Sequence, residues 1–383
     1  MNTKALYTLT FLYWFSAYTF MPTLTPYLKD IGISYTMIGL IASTYGFAQL
    51  ALRIPLGIAS DLLRRRKMFI ILGMFMGTIS SVGFLFTENE LLILICRFLS
   101  GMGAAVWVII VVLFSSYFTP EQAPSRTSRL NMFNYLGQML GTLSGAALAA
   151  YAGYKAPFMF SAVVAAAALI MSFIVEERVP SNAKAPPTLR EMLQVGKNHR
   201  LLVMSMLATI VHFILSSSNN TFLPEVARNL GASTILLGYL TSIAILPRVL
   251  SSLFCGIILT KAVDERKLFI GAFSLMVVSA ALTPLSPNLP FLFVVTFFLG
   301  FGNGMAFTLC LSLCTGEVDS SLKSTGMGFF QSIYSTGMTV GPTVVGIMVD
   351  FKGLTAGYML IAGVAAIGLF IAVTFIKKKQ IVA

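Results

Sequence analysis

Long apolar runs alternate with short polar breaks, and the rhythm continues along the whole chain. By hydropathy the runs cover approximately residues 5–28, 36–60, 67–87, 91–118, 128–152 and 156–175. A second set covers 200–223, 235–260, 267–286, 290–314, 324–350 and 354–376. A helix rises ~1.5 Å per residue, so about 20 apolar residues cross a bilayer core of ~30 Å, where no lipid can satisfy a free backbone amide. The runs have that length, which predicts an all-α membrane protein of 12 transmembrane helices. The first run is too long, and too closely followed by others, to be a cleaved signal peptide.

Composition agrees, with 57% hydrophobic and 10% charged residues against about 25% charged in soluble domains. The net charge of +12 would fit a nucleic-acid binder, but its distribution does not. With the N-terminus in the cytoplasm, 19 of the 26 Lys and Arg fall on cytoplasmic segments, notably Arg64, Arg65, Arg66, Lys67, Lys377, Lys378 and Lys379. Lys29, Lys155, Arg228 and Lys352 fall on the other side. This positive-inside pattern places both termini in the cytoplasm of a multi-pass inner-membrane protein and excludes nucleic acid as a partner. Cys96, Cys255, Cys310 and Cys314 lie inside runs as small apolar residues, with no His or carboxylate placed to complete a metal site. No cofactor is expected.

One long polar stretch, Glu176 to Arg200, contains Pro180, Pro186 and Pro187 and divides the chain. The expected organisation is an N-terminal six-helix bundle (1–175), a cytoplasmic linker (176–199), and a C-terminal six-helix bundle with a basic tail (200–383). Thr188 and Glu191 have the spacing of a capping box, which predicts a short surface helix in the linker. The halves repeat at about 200 residues: Gly57 and Lys67 match Gly256 and Lys267, while Gly137 and Gly141 match Gly337 and Gly341. Duplicated halves are the layout in which a substrate site forms at the midplane and the bundles rock about it.

Three motifs resemble those of the major facilitator superfamily. Gly57-Ile-Ala-Ser-Asp61 followed by Arg64, Arg65, Arg66 and Lys67 resembles the family's loop signature between helices 2 and 3, which implies a gating cluster of Gly57, Asp61, Arg65 and Arg66. Leu62 and Arg64 depart from its usual Arg and Gly. Arg97-Phe-Leu-Ser-Gly101-Met-Gly103 resembles the fourth-helix motif, whose arginine is associated with substrate or proton coupling. Gly137, Gly141 and Gly145 resemble the exporter-associated glycine motif. Thr142 replaces its usual proline, and Gly341-Pro342 carries that pair in the other half. The resemblance covers nearly the whole chain and implies the 12-helix facilitator fold. It does not select a substrate.

Polar residues inside the runs are the binding candidates. These are Arg248, Arg53, His212, Asn219, Asn220, Asn134, Gln138, Gln331 and Tyr13. Arg53, Arg97 and Arg248 lie within runs, whereas Asp61, Glu225 and Asp350 lie near run ends, so the embedded charge is positive. That pattern admits an anionic substrate paired to Arg248 and Arg53, and leaves His212 as the group able to carry a coupling proton. A catalytic constellation, a nucleotide-binding P-loop and an H-E-x-x-H motif are all missing, so neither an enzyme nor an ATP-driven pump is expected. The expected function is ion-coupled efflux of a drug or metabolite by a monomeric secondary transporter. Symport or exchange of an organic anion is the alternative, ahead of a channel or receptor.

Overall fold

The computed structural model describes residues 3–63, 65–119, 122–177, 197–259, 264–314 and 323–376, and among these there is helix and no strand. In chain order the helices are α1 (Thr3–Thr19), α2 (Met21–Asp30), α3 (Tyr35–Leu62), α4 (Arg66–Phe86), α5 (Glu90–Ala105), α6 (Trp107–Ser115), α7 (Ala123–Ala152) and α8 (Lys155–Ile174). Then come α9 (His199–Ser217), a π turn (Ser218–Phe222), α10 (Leu223–Asn229), α11 (Thr234–Leu259), α12 (Glu265–Leu282), α13 (Leu289–Leu313) and α14 (Lys323–Phe375). The linker helix expected around Thr188 and Glu191 lies outside the described residues.

Several expected spans are interrupted rather than straight. The first breaks between α1 and α2 just before Pro22, and the fourth breaks at Val106. The seventh runs on through the π turn to Asn229, beyond the expected end at 223. The last two spans are one long helix broken at Gly353, whose φ of 80° is open to glycine at no steric cost. Counting these pieces by span, nine described stretches are long and apolar enough to cross a bilayer, the ninth holding two passes. Together with Thr3–Asp30 and Ala123–Ala152, they are consistent with 12 helices.

Large apolar side chains cover the outer surface, while the interior holds polar groups as well as an apolar core. Phe75, Phe86, Val163, Ile170, Phe173 and Phe370 are exposed, while Thr10, Ser16, Arg53, Arg97, Asn134 and His212 are buried. Buried polar groups and an apolar outer surface are what a hydrocarbon solvent requires.

The chain forms two compact units. One holds Met1–Tyr27, Thr44–Thr188 and Ser233–Tyr239; the other holds Leu28–Ser43, Leu189–Ala232 and Leu240–Ala383. In the first, α1 packs on α7 and α8, and α4 packs on α5 and α8. In the second, α9 packs on α14, and α12 packs on α13 and α14. The same glycine seams recur in both. Gly101 lies on the Tyr45 carbonyl and Gly300 on that of Ala244; Gly103 meets the Gly73 carbonyl and Gly302 that of Ala272. Gly137 and Gly141 abut the backbone of Phe11 and Phe15, as Gly337 and Gly341 abut Thr209 and Phe213. Gly39 faces the Pro342 carbonyl and Gly238 faces Thr142.

Hydrogen bonds follow the duplication. Asn89 caps α5 by accepting from Leu91 and Leu92 N–H, and Asn288 caps α13 by accepting from Phe291 N–H. Lys67 Nζ donates to the Phe173 carbonyl at 2.7 Å, and Arg266 donates to the Val373 carbonyl. The basic residue that matches Lys67 in its bonding is therefore Arg266, one position before the Lys267 expected from spacing. In the first unit, Ser16, Ser81 and Ser161 join α1, α4 and α8 through hydroxyl contacts of 3.0–3.1 Å.

A Cβ at Gly141 would collide with the Phe15 backbone, whereas one at Gly57 would meet nothing within 4 Å. Gly141→Val is therefore expected to lower stability by about 1–3 kcal/mol, and Gly57→Ala to stay within about 0.5 kcal/mol of the parent. Thermal melting and gel filtration of the purified variants check this contrast, which equal melting temperatures would refute.

Candidate functional site

The first unit gathers cationic and phenolic groups around Arg97. This residue is 4% exposed. Its guanidinium lies 4.4 Å from the centre of the Tyr45 ring, Nη2 is 3.4 Å from Met21 Sδ, and Nε is buried with no hydrogen-bond partner. Close packing at Gly101 and Gly103 draws α5 against α3 and α4 and fixes the start of the Arg97 side chain. Tyr45, Gln49 and Arg53 follow at four-residue intervals on one face of α3. Gln49 Nε2 donates to the Tyr45 carbonyl at 3.3 Å, and Arg53 Nη2 donates to Gln49 Oε1. Tyr13 donates its hydroxyl to the Ser100 carbonyl at 3.5 Å and lies within electrostatic reach of Tyr45, Arg97, Tyr18 and Arg53.

Beside this group, Trp14 stands edge-on to Tyr13 at 5.3 Å and to Trp107 at 5.9 Å. The Trp14 indole nitrogen is buried without a partner. On α7, Gln138 Nε2 donates to Asn134 Oδ1 at 2.6 Å, which leaves Gln138 Oε1 buried and unpartnered. Buried polar atoms with no partner are uncommon and costly, and here they belong to residues able to hold a ligand. No buried carboxylate is found among the described residues of this unit. Two buried guanidiniums without a buried acid suit a planar anion, and the surrounding rings suit an aromatic or flat apolar group.

In the second unit, His212 is buried, stacked on Tyr334 at 4.1 Å and edge-on to Phe307 at 4.8 Å. Its Nδ1 is 3.1 Å from the Ala208 carbonyl. Asn303 Nδ2 donates to the Val211 carbonyl at 3.0 Å. Asn219 is buried and Asn220 half-buried in the π turn, a distortion often found at functional sites. Arg248 is half-buried; its Nε donates to the Ala244 carbonyl at 3.1 Å, and Gly304 packs against its backbone. Arg248 thus repeats the pose of Gln49, 199 residues earlier. Gln331 is half-buried nearby in sequence to Tyr334.

The sequence-derived candidates separate accordingly. Arg53 and Tyr13 join Arg97 in the first unit, as do Asn134 and Gln138 with each other; Arg248 and His212 belong to the second unit. Of the proposed gating residues, Arg65 is exposed and Arg66 half-buried, Gly141, Gly341 and Pro342 sit in the seams, and the Asp61 side chain lies outside what is described. Sequence reasoning missed Met21, Tyr45 and Gln49 as neighbours of the arginines, although the four-residue spacing of Gln49 and Arg53 marks one pair. It also missed Glu225. Placed near a run end, it is nonetheless 5% exposed, the one buried carboxylate among the described residues.

Comparison with known proteins agrees with this architecture. The family model of the Major Facilitator Superfamily matches residues 6–218 and 205–382, so the chain belongs to that superfamily of membrane transporters. An uncharacterized MFS-type transporter of Methanocaldococcus jannaschii, MJ1560, is 23% identical over 91% of this chain and 93% of its own. The multi-drug resistance efflux pump PmrA of Streptococcus pneumoniae is 27% identical over 44% of this chain and 43% of its own. Among solved structures, the nucleoside transporter NupG superposes with a TM-score of 0.79 at 18% identity, covering 99% of this chain and 100% of that one.

Burying Arg97 without an acid costs stability, so Arg97→Met, apolar and of similar length, is expected to melt at or above the parent temperature. If Arg97 serves ligand binding, transport by the same variant falls by about tenfold or more. Melting and flux measured on one preparation decide this: a large loss of stability would make Arg97 structural.

Proposed function

We propose that the chain is a secondary active transporter that moves a small organic solute across the inner membrane by alternating access, coupled to an ion, in the direction of efflux. The observation that carries this reading is the duplicated set of glycine seams, which packs the helices closely in both halves of the chain, as in carriers built from internal repeats. The relative named as a multi-drug efflux pump supports the direction. The charge distribution supports an orientation with both termini in the cytoplasm. The organisation expected from sequence, bundles over 1–175 and 200–383 joined by a linker, fits this mechanism.

The test is counterflow in proteoliposomes loaded with ethidium, followed by release driven by an imposed pH or sodium gradient. A carrier gives saturable exchange and gradient-dependent efflux, whereas a pore merely equilibrates the dye, an outcome that would remove this reading.

A second reading, an organic-anion carrier, is favoured by one observation: Arg97 and Arg53 are buried in a unit with no buried carboxylate among its described residues. On this reading Arg53→Gln or Arg248→Gln raises the KM for an anion such as benzoate by about tenfold, the loss of one charge-assisted contact. Unchanged affinity and rate in both variants would dismiss it.

A further inference from the structure

The packing of α1 on α7 gathers buried polar atoms that no neighbour meets. Outside its arginines, the buried side-chain nitrogens and oxygens without a hydrogen-bond partner in the described part of the first unit are Thr10 Oγ1, Trp14 Nε1 and Gln138 Oε1. All three lie along this one contact. Thr10 and Trp14 are four residues apart and share a face of α1. Tyr7 stacks on Phe133 of α7 with ring centres 4.9 Å apart. A Cβ at Gly137 would stand 2.5 Å from the Phe11 carbonyl oxygen and 3.3 Å from Trp14 Cβ. Asn134 and Gln138 flank that glycine on α7, and with Thr10 and Trp14 they are each 9% exposed or less.

The unmet atoms are complementary. An indole N–H can only donate, and an amide oxygen can only accept. Gln138 Nε2 donates to Asn134 Oδ1 at 2.6 Å, which holds the Gln138 amide in place. Because neither Trp14 Nε1 nor Gln138 Oε1 has a partner, the donor and the acceptor do not meet each other. A group that presents an acceptor to one and a donor to the other satisfies both, and leaving such atoms unmet is costly.

Charge is missing here. α1 is uncharged from Ala5 to Thr19, and α7 from Leu130 to Ala152. A carboxylate in this place would find the Trp14 donor but would set its second oxygen against Gln138 Oε1. A neutral amide instead carries a carbonyl acceptor and an N–H donor on one planar carbon. Around Trp14 the rings of Tyr13, Trp107 and Tyr18 stand at 5.3, 5.9 and 6.0 Å, a setting suited to a flat ring joined to that amide.

We infer that the contact of α1 with α7 is a subsite for the amide edge of an uncharged aromatic solute, whose carbonyl accepts from Trp14 Nε1 and whose N–H donates to Gln138 Oε1. The Thr10 hydroxyl, one turn away, offers a further bond. This rests on the reading of the chain as a carrier of small organic solutes, and it narrows the solute to aromatic amides and lactams. The subsite is separate from the Arg97 and Arg53 group, which suits an anion.

Trp14 and Trp107 are the two tryptophans of the chain, so tryptophan emission of the purified protein reports this place. Benzamide is expected to change the emission and to bind about tenfold more tightly than N,N-dimethylbenzamide, which keeps the carbonyl and lacks the N–H. In Gln138→Met that preference disappears. In Trp14→Phe, followed by Trp107 emission, both ligands weaken by about tenfold. Three results overturn the inference: no response to benzamide, a preference undiminished in Gln138→Met, or unchanged affinities in Trp14→Phe. Should a variant fail to fold, the parent decides with benzamide against benzoate, a charged near-isostere. Benzamide must bind about tenfold more tightly, and equal or tighter binding of benzoate overturns the inference.

Counterflow in proteoliposomes tests the carrier reading separately. A parent that binds benzamide but exchanges neither labelled benzamide nor ethidium sinks the carrier reading and leaves the subsite. A parent that exchanges ethidium but neither binds nor exchanges benzamide sinks the subsite alone.

Discussion

Helices in a bilayer gain nothing by hiding apolar surface from lipid, so their association depends on how closely backbones approach. In this chain that approach is made at glycine. Gly101, Gly103, Gly137 and Gly141 press onto carbonyls of neighbouring helices in the first unit, and Gly300, Gly302, Gly337 and Gly341 do the same in the second. Remaining features hang from these seams. They set Arg97 next to Tyr45, bring Arg248 under Gly304, and hold α9 against α14, where His212 meets Tyr334.

The fold was largely legible in the sequence because the bilayer imposes one length and one solvent on every span. Gly137 and Gly141 against Gly337 and Gly341 marked the duplication correctly, since side-chain-free contact is written directly as glycine. Interruptions were not legible. The break at Val106 falls on neither a proline nor a glycine, and the π turn at Ser218–Phe222 leaves hydropathy unchanged. A shift of one residue separates Lys267 from Arg266 as the partner of Lys67, because spacing alone does not reveal which side chain reaches a carbonyl.

The candidate site was legible as a list and not as an arrangement. Embedded arginines are visible in any hydropathy reading, but Arg53 is tied to Gln49 on its own helix, while Arg97 is surrounded by a thioether and an aromatic ring that carry no charge signature. Glu225 was hidden for the opposite reason. A carboxylate three residues before Arg228 near a run end reads as a solvated pair, yet Arg228 turns to Asp30 and the carboxylate is covered by Tyr35. Burial depends on which segment lies over a residue, and Leu28–Ser43 comes from nearly two hundred residues earlier.

Transport by alternating access requires the polar contacts that hold Ser43 to Thr343 to open for part of each cycle. Its most direct measurement is a disulfide between Ser43→Cys and Thr343→Cys, whose parent hydroxyls are 2.8 Å apart, in a background with Cys96, Cys255, Cys310 and Cys314 replaced by serine. Oxidation is expected to form the cross-link and arrest ethidium transport, and reduction to restore it. Full transport by the fully cross-linked protein would show a permanent structural contact and contradict the account.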